Sequence, residues 1–292
     1  MTAFFDYLLG GIGSGAVIAL LAIALVLTWR STRIVNFAQV GQAMTTTFVA
    51  LAVRDASGSW VLGLAAALVA GAILGLIVQA LILKPVRRMD TSGAIIATFG
   101  VLISLQAAAA MIWGGSPQPF GPPITNAGLE VFGHVWPISW YDILIIAVTA
   151  LLVIGLGLLL TRTSVGLAMR ASAFNPEVAR LSGVRVGRML GLGWAIAGVV
   201  GAVAGVLIAP SATLAPNSFD IFLVFAFTAA VLGGLDSLVG AVFFGVGTGV
   251  VLSLVTGYSD SSSAPVVVLV LLAVSLILKP EGLFGRGKAR AV

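Results

Sequence analysis

Long apolar runs separated by short polar connections dominate the sequence. Nine of these runs approach or reach the length that a helix needs to cross about 30 Å of hydrocarbon at about 1.5 Å rise per residue. The predicted spans are 8–28, 36–53, 60–83, 93–112, 140–161, 189–209, 219–233, 237–256 and 264–279. Because the seventh and ninth runs are short, eight crossings with one re-entrant segment stay open beside nine.

The composition agrees with this pattern. Apolar residues make up 60% of the 292 residues, charged residues make up 9%, and the mean hydropathy is +1.16. No soluble core could absorb so much apolar surface, so lipid must surround most of the chain. The predicted fold class is an all-α, polytopic transmembrane helix bundle in which residues 1–292 form a single domain.

Positive charges fall on alternate connections between the predicted spans. Every Lys and Arg residue except Arg54 follows the first, third, fifth or last span. Short loops rich in Lys and Arg stay in the cytoplasm. The pattern therefore predicts an N-terminus outside and a C-terminus inside, with 162–188 as the longest cytoplasmic connection. Acidic residues, Asp220 among them, are predicted on the opposite side.

The connection at 113–139 is predicted to lie outside. Its residues Trp113 and Trp136, with Trp140 just beyond it, suit an aromatic belt at the membrane interface. Two interpretations stay open for this connection, a solvated loop and a docking segment for an external partner.

The second predicted span is unusually polar for a membrane helix. It contains Asn36, Gln39, Gln42 and Thr46, and the last three share one face at about 100° per residue. Amides in hydrocarbon need partners, so this face is predicted to point into protein or water. The four residues are interpreted either as interhelical hydrogen-bonding groups or as the lining of a translocation path for a polar solute.

Small residues and isolated amides indicate close helix packing elsewhere. Four G-x-x-x-G pairs lie in the apolar runs, and such pairs let two helices approach closely in lipid. They are Gly11/Gly15, Gly71/Gly75, Gly201/Gly205 and Gly245/Gly249. Gln106 stands alone in its span and is interpreted as an interhelical contact.

The connection at 162–188 carries the signals of a short capped helix. Asn175 is a favourable N-cap, Pro176 suits the first helical position, Glu177 complements the helix dipole, and Gly183 can end the helix. A helix of about two turns is not stable alone, so it must pack on something. It lies either against the bundle itself or in a groove of a cytoplasmic motor subunit.

The sequence offers no catalytic or metal-binding chemistry. Cysteine is absent, His134 is the single histidine and no Ser/His/Asp set converges, so neither an enzyme nor a metal site is predicted. No G-x-x-x-x-G-K-[ST] phosphate loop occurs, so any ATP used must bind another chain. The basic pI reflects the cytoplasmic loops rather than nucleic-acid binding. No charge is predicted at the centre of a span, which weakens the second hypothesis, an ion-coupled secondary transporter.

Several stretches together resemble one family, the LivH-type permease subunit of branched-chain amino acid ABC importers. The first follows the family signature I-x-N-F-A-[HQ]-G up to Gln39, whereas Val40 and Asp236 stand where the family usually has Gly. The similar stretches are Ile34–Gln39, Lys84–Arg88, Ala94–Gly100, Gly166–Gly183, Gly233–Ala241 and Lys279–Gly285. They occur in the family's order and cover nearly the whole chain.

The resemblance implies a permease domain of a bacterial inner-membrane importer, with ATP bound on partner subunits and no cofactor in this chain. Implied partners are two ATP-binding cassette subunits, a second, LivM-like permease, a periplasmic or lipid-anchored solute-binding protein, a small amino acid or amide substrate, and membrane lipid. The loop 162–188 corresponds to the family's cytoplasmic coupling loop. The implied coupling residues are Gly166, Arg170, Ala171, Asn175, Pro176, Glu177, Ala179, Arg180 and Gly183.

Overall fold

A computed structural model describes residues 2–86, 91–131, 134–279 and 281–285 as a helix bundle. Its α-helices are α1 Thr2–Thr32, α2 Gln39–Ser57, α3 Trp60–Val86, α4 Thr91–Trp113, α5 Trp140–Arg162, α6 Ser164–Phe174, α7 Pro176–Leu181, α8 Val186–Ala212, α9 Asp220–Gly233, α10 Leu238–Tyr258 and α11 Ala264–Leu278. The predicted helical membrane bundle is confirmed. Of the predicted basic residues, Arg87, Arg88, Arg286, Lys288 and Arg290 lie outside the described residues.

Six of the described helices are long and apolar enough to cross a membrane, namely α1, α3, α4, α5, α8 and α10. Each predicted span matches a helix, with its ends shifted by a few residues. Helix α2 has 19 residues, but its mean hydropathy is too low for it to be counted among these six. Helices α9 and α11 have 14 and 15 residues, so they reach only about 21–22 Å. The number of nine membrane crossings therefore stays a prediction.

A small β-hairpin interrupts the helical fold between α4 and α5. Strands β1 Gly128–Val131 and β2 His134–Ser139 pair antiparallel, with Gly128 opposite Ser139. Ser139 then caps α5, because its hydroxyl accepts a hydrogen bond from the Asp142 backbone N–H at 3.0 Å. The predicted loop at 113–139 thus contains a sheet that the sequence analysis did not foresee.

The bundle has two distinguishable ends. The hairpin end carries β1, β2, the start of α1 and the end of α8, where Asp6, Asp142 and Ser211 border an open polar cavity of about 520 Å³. The α6–α7 end carries these two helices and the end of α1, where Arg33 forms a salt bridge with Asp236 at 2.6 Å. This ion pair uses the aspartate that departs from the family pattern.

Helix α1 forms the centre of the bundle. Its residues from Ala16 to Leu27 are all buried, and the helix packs mainly against α10 and α8. A Cβ on Gly11 would lie 2.6 Å from Val250 Cα, and a Cβ on Gly15 would lie 2.6 Å from Val246 O. The other three glycine pairs also lie where helices meet: Gly245/Gly249 against α1, Gly71/Gly75 against α8, and Gly201/Gly205 against α2. The packing role predicted for these pairs is confirmed.

The two C-terminal stretches that resemble the family pack on each other at the α6–α7 end. The Leu283 N–H donates to Leu232 O at 2.8 Å, and a Cβ on Gly234 would lie 2.8 Å from Gly285 N. Gly234 and Gly282 have φ values of +89° and +78°, which glycine adopts without strain. The chain after α11 is therefore fixed against the connection between α9 and α10.

Candidate functional site

The polar residues of the second predicted span lie together inside the bundle. Asn36 precedes α2, and Gln39, Gln42 and Thr46 lie within it. All four are at most 1% exposed, so they face protein rather than lipid. We call Asn36, Gln39, Gln42 and Thr46 the α2 cluster. Its burial agrees with the prediction that amides here point into protein or water.

Gln39 joins α2 to α8. Its Nε2 donates to Ala197 O at 3.1 Å, and its Oε1 accepts from Asn36 Nδ2 at 3.1 Å. Asn36 Oδ1 in turn accepts from the Ala38 N–H at 3.2 Å, just before the helix begins. A Cβ on Gly201 would collide with Gln39 Nε2. Glycine at 201 therefore leaves the space that the amide needs to reach the carbonyl of α8.

Gln42 differs from its neighbours in the α2 cluster. Thr46 Oγ1 donates to Ala43 O at 2.9 Å, which is an ordinary bond within the helix. By contrast, neither amide atom of Gln42 has a hydrogen-bond partner among the described residues, although the side chain is 1% exposed. Burying an amide without a partner costs roughly 1–3 kcal/mol. Within the α2 cluster, Gln42 is thus the member whose polarity does not serve the fold of this chain.

A second polar feature joins α4 to α9. Gln106 Nε2 donates to Asp220 Oδ1 at 2.7 Å, and Asp220 is the first residue of α9. Gln106 is partly exposed and Asp220 is exposed on the surface of the single chain. We call these two residues the α4–α9 pair. The expected interhelical bond of Gln106 is therefore present, and its partner is a carboxylate that the sequence analysis placed at the outer end of the seventh span.

Two short helices occupy the predicted coupling loop. The sequence analysis missed α6, whose N-cap is Thr163, with its hydroxyl accepting from the Gly166 N–H at 3.1 Å. Gly166 is buried against the end of α5, where a Cβ would lie 2.5 Å from Leu160 O. Arg170 Nε donates weakly to Gly166 O at 3.4 Å, and Ala171 O accepts from the Asn175 N–H at 3.1 Å.

Helix α7 has the caps that its sequence predicts. Asn175 Oδ1 accepts from the backbone N–H groups of Glu177 and Val178, each at 3.1 Å, and Pro176 occupies the first turn. Ala179 is buried against the neighbouring helices, whereas Glu177 and Arg180 are exposed. Gly183 has a φ of +81° and open space around its Cβ position. The helix has six residues from Pro176 to Leu181, which is close to the two turns predicted.

Large apolar side chains project from α6 and α7. Phe174 is 92% exposed, Leu181 is 89% exposed and Val178 is 56% exposed. We call these three residues the apolar patch. Exposed charges surround it, among them Glu177 and Arg180. The sequence analysis considered the caps and charges of this loop and missed the patch, although apolar residues within a charged loop are themselves a signal of an interaction site.

The described residues contain no group of three or more His, Asp or Glu side chains that could hold a metal ion. Gly166 and Gly183 shape the α6–α7 segment, while the α2 cluster and the α4–α9 pair supply polar groups on largely apolar helices.

Comparison with known proteins identifies the family. Residues 7–278 match the family model described as branched-chain amino acid transport system / permease component. The probable branched-chain amino acid transport permease protein LivH of Methanocaldococcus jannaschii is 32% identical, over 94% of this chain and 91% of the relative. The high-affinity branched-chain amino acid transport system permease proteins LivH of Escherichia coli K12 and BraD of Pseudomonas aeruginosa are 29% and 27% identical, each over 99% of this chain and 98% of the relative. The chain therefore belongs to the permease component family of branched-chain amino acid transport systems.

Proposed function

We propose that this chain is a membrane-spanning subunit of an ATP-driven importer for branched-chain amino acids or related small amino acids and amides. The names of its relatives support the substrate class. The observation that carries the ATP-driven mechanism is the apolar patch on α6 and α7. A partner must cover this patch, because Phe174 and Leu181 are almost fully exposed among charged residues that hydrocarbon would not accept.

An ATPase subunit is the partner that fits the patch. The sequence has no phosphate loop of its own, so ATP must bind elsewhere. Helix α7 has a good N-cap, but with six residues it is too short to be stable alone, so it needs a surface to pack against. An apolar helix face that lies in a groove is a common mode of protein recognition. In this proposal, closure of the two ATPase subunits moves α7. Helix α7 transmits this movement to the permease, which then alternates between outward and inward access.

The proposal includes the remaining assembly. Two ATP-binding cassette subunits lie beneath this chain and a second, LivM-like permease, and a solute-binding protein delivers substrate at the hairpin end. The α6–α7 end is then cytoplasmic, and the hairpin end faces outward from the bacterial inner membrane. Of the residues predicted to line the path, we retain Gln42, because its buried amide lacks a partner among the described residues.

The coupling role is tested with the complete transporter in proteoliposomes. Phe174→Asp places a charge in the patch and is expected to abolish substrate-stimulated ATP hydrolysis and uptake together. Phe174→Leu keeps an apolar contact and serves as the matched control, with most activity retained. An Arg180→Cys variant is expected to cross-link to the ATPase. Normal coupling in Phe174→Asp would contradict the proposal.

Two further changes separate the shape of α7 from its surface. Glu177→Lys combined with Arg180→Glu exchanges the exposed charges and leaves the Asn175 cap in place. Gly183→Val imposes a β-branched residue at positive φ in open space, so its strain is confined to the backbone. Both variants are expected to insert normally and to lose coupling. Full coupling in both would show that α7 is not a docking element.

An ion-coupled secondary transporter is the second candidate. The α4–α9 pair favours it, because a carboxylate within the apolar belt can take part in ion or proton relays. The two candidates differ in a simple measurement. The importer takes up substrate only with ATP and its ATPase subunits, whereas a secondary carrier takes it up from an ion gradient in liposomes that contain this chain without an ATPase.

A further inference from the structure

The α4–α9 pair lies at a depth where a carboxylate is costly unless water or protein covers it. Gln106 is seven residues from Trp113, the last residue of α4, which puts it about 10 Å from the hairpin end of that helix. Helix α9 spans only about 20 Å from Asp220 to Gly233, which lies at the α6–α7 end. In a hydrocarbon layer of about 30 Å, α9 also places Asp220 about 10 Å below the hairpin end. The two estimates agree.

The backbone before α9 supports the same conclusion. Residues 213–219 are not helical, and Leu214 pairs with Gln118 through two backbone hydrogen bonds of 2.9 and 3.0 Å. Thr213 has a φ of +40°, and the side chain of Asn217 is exposed. Irregular backbone at membrane depth is tolerated only where it is covered by protein or borders water. Together with an exposed carboxylate, this segment marks a face that lipid does not cover.

The free atoms of the pair define what it can bind. Gln106 Nε2 donates to one carboxylate oxygen of Asp220 at 2.7 Å. Among the described residues, neither the other carboxylate oxygen nor Gln106 Oε1 has a hydrogen-bond partner, and both atoms are acceptors. Asp220 is also the single charged residue in the sequences of α4 and α9. The pair therefore complements a cation that donates several hydrogen bonds, such as an ammonium group, and not a carboxylate.

Exposed and aromatic apolar side chains of α4 and α9 lie further along these helices, beyond the pair. Ile103, one turn from Gln106 on α4, is 63% exposed. Phe99 lies one further turn away and stacks on Phe37, with ring centroids 4.5 Å apart, and Phe37 also contacts Phe227 of α9 at 5.6 Å. An acceptor pair beside aliphatic and aromatic groups suits a small solute that carries an ammonium group and an apolar side chain.

We propose that the α4–α9 pair lines the translocation path and receives the ammonium group of an amino acid solute, with its apolar side chain over Ile103 and Phe99. The second permease would supply the opposite wall. This inference rests on the proposed function for the identity of the solute. Its accessibility to water and its preference for cations can be measured without ATP hydrolysis, so the two proposals can fail separately.

The test uses single cysteines, because the native chain has none. Ile103→Cys and Leu151→Cys are a matched pair, since the native side chains are 63% and 72% exposed and lie about 15 Å and 16 Å from the hairpin end of their helices. Each is treated with a cationic (trimethylammonium) and an anionic (sulfonate) methanethiosulfonate in membranes that contain the complete transporter. These reagents attack the thiolate, which forms in water and not in lipid.

The cysteine at position 103 is expected to react at least about tenfold faster than that at position 151, because it borders water. Its reaction is expected to favour the cationic reagent by about threefold, and Asp220→Asn should remove this preference. Equal, slow labelling of both positions would place 103 against lipid and overturn the proposal. Fast labelling whose charge preference survives Asp220→Asn would overturn the ammonium-binding role.

Discussion

The α2 cluster and the α4–α9 pair are both polar features within the apolar belt, yet their surroundings are opposite. The cluster is at most 1% exposed, and Gln39 bonds to the backbone of α8. The pair lies on the surface of the chain, and its two members bond chiefly to each other. Each region depends on a glutamine in a membrane helix. What separates them is whether this chain or another component covers the amide.

This difference bears on how polar residues in membrane helices are interpreted. A glutamine that bonds to a backbone carbonyl of a neighbouring helix stabilises the fold, because lipid would leave its amide without a partner. An acceptor pair on the bundle surface contributes little to the fold and must be covered by water, solute or another subunit. Polarity therefore identifies both kinds of residue, but exposure decides their roles.

The largest effect is expected at Gly201, where the bundle leaves space for the Gln39 amide. Gly201→Val places branched atoms where that amide now lies and should destabilise the folded permease by about 3 kcal/mol. Thermal unfolding in detergent, followed by size-exclusion fluorescence, measures the change. Gly247→Ala, at a helical glycine with no atoms within 4 Å of the added Cβ, is the control and should not destabilise the protein. Equal stability of both variants would contradict the role assigned to Gln39.

Gln39→Leu removes the bond to α8 directly. The amide of Asn36 would lose its acceptor in a buried site, and the carbonyl of Ala197 would lose the hydrogen bond that it accepts in addition to its helical one, so a loss of about 2 kcal/mol is expected. The same unfolding assay applies. Gln39→Glu is a useful companion, because it keeps the acceptor for Asn36 but removes the donor to Ala197. A wild-type melting temperature in Gln39→Leu would show that the α2–α8 contact does not depend on this amide.

Gln42→Leu should have the opposite effect on stability. Its amide has no partner among the described residues, so an apolar side chain of similar size is expected to raise stability by about 1 kcal/mol. If the amide serves the path, uptake by the reconstituted transporter should fall nevertheless. A gain in stability with unchanged uptake would remove Gln42 from the proposed path.

Gln106→Leu should have the smallest effect on folding. Its bond to Asp220 lies on the surface of the chain, so its loss is expected to change the free energy of unfolding by no more than about 1 kcal/mol. Uptake should decline more than stability, because Asp220 loses the donor that orients its carboxylate. A large drop in stability would indicate that the pair holds α4 and α9 together, as the α2 cluster holds α2 and α8.

The sequence predicted much of the bundle because hydrophobic length and glycine spacing are local signals. Runs of apolar residues located the long helices, and pairs such as Gly71/Gly75 lie at the expected helix contacts. Asn175 and Gly183 likewise adopt the cap and the positive φ that their residue types favour. Such features depend on a few neighbouring residues and can be inferred without a structure.

Features that depend on distant parts of the chain could not be predicted in this way. Asp220 bonds to a residue 114 positions away, and only the three-dimensional structure shows that its carboxylate meets Gln106 of α4. The exposure of Phe174 depends on how α6 packs against α5 and α8. The two strands within 128–139 are short, and their pairing is a tertiary property of a connection for which the sequence analysis predicted no strands.

The central claim is that the α2 cluster, through Gln39, maintains the fold whereas the α4–α9 pair serves the solute. One measurement tests it most directly, namely ATP-driven uptake of L-leucine into proteoliposomes, divided by the amount of folded, assembled permease. For Gln39→Leu the normalised rate should stay near that of the wild type, because the molecules that fold are competent. For Asp220→Asn it should fall by at least about tenfold, since the ammonium group loses its charged partner. A normal rate in Asp220→Asn together with a loss in Gln39→Leu would contradict the account.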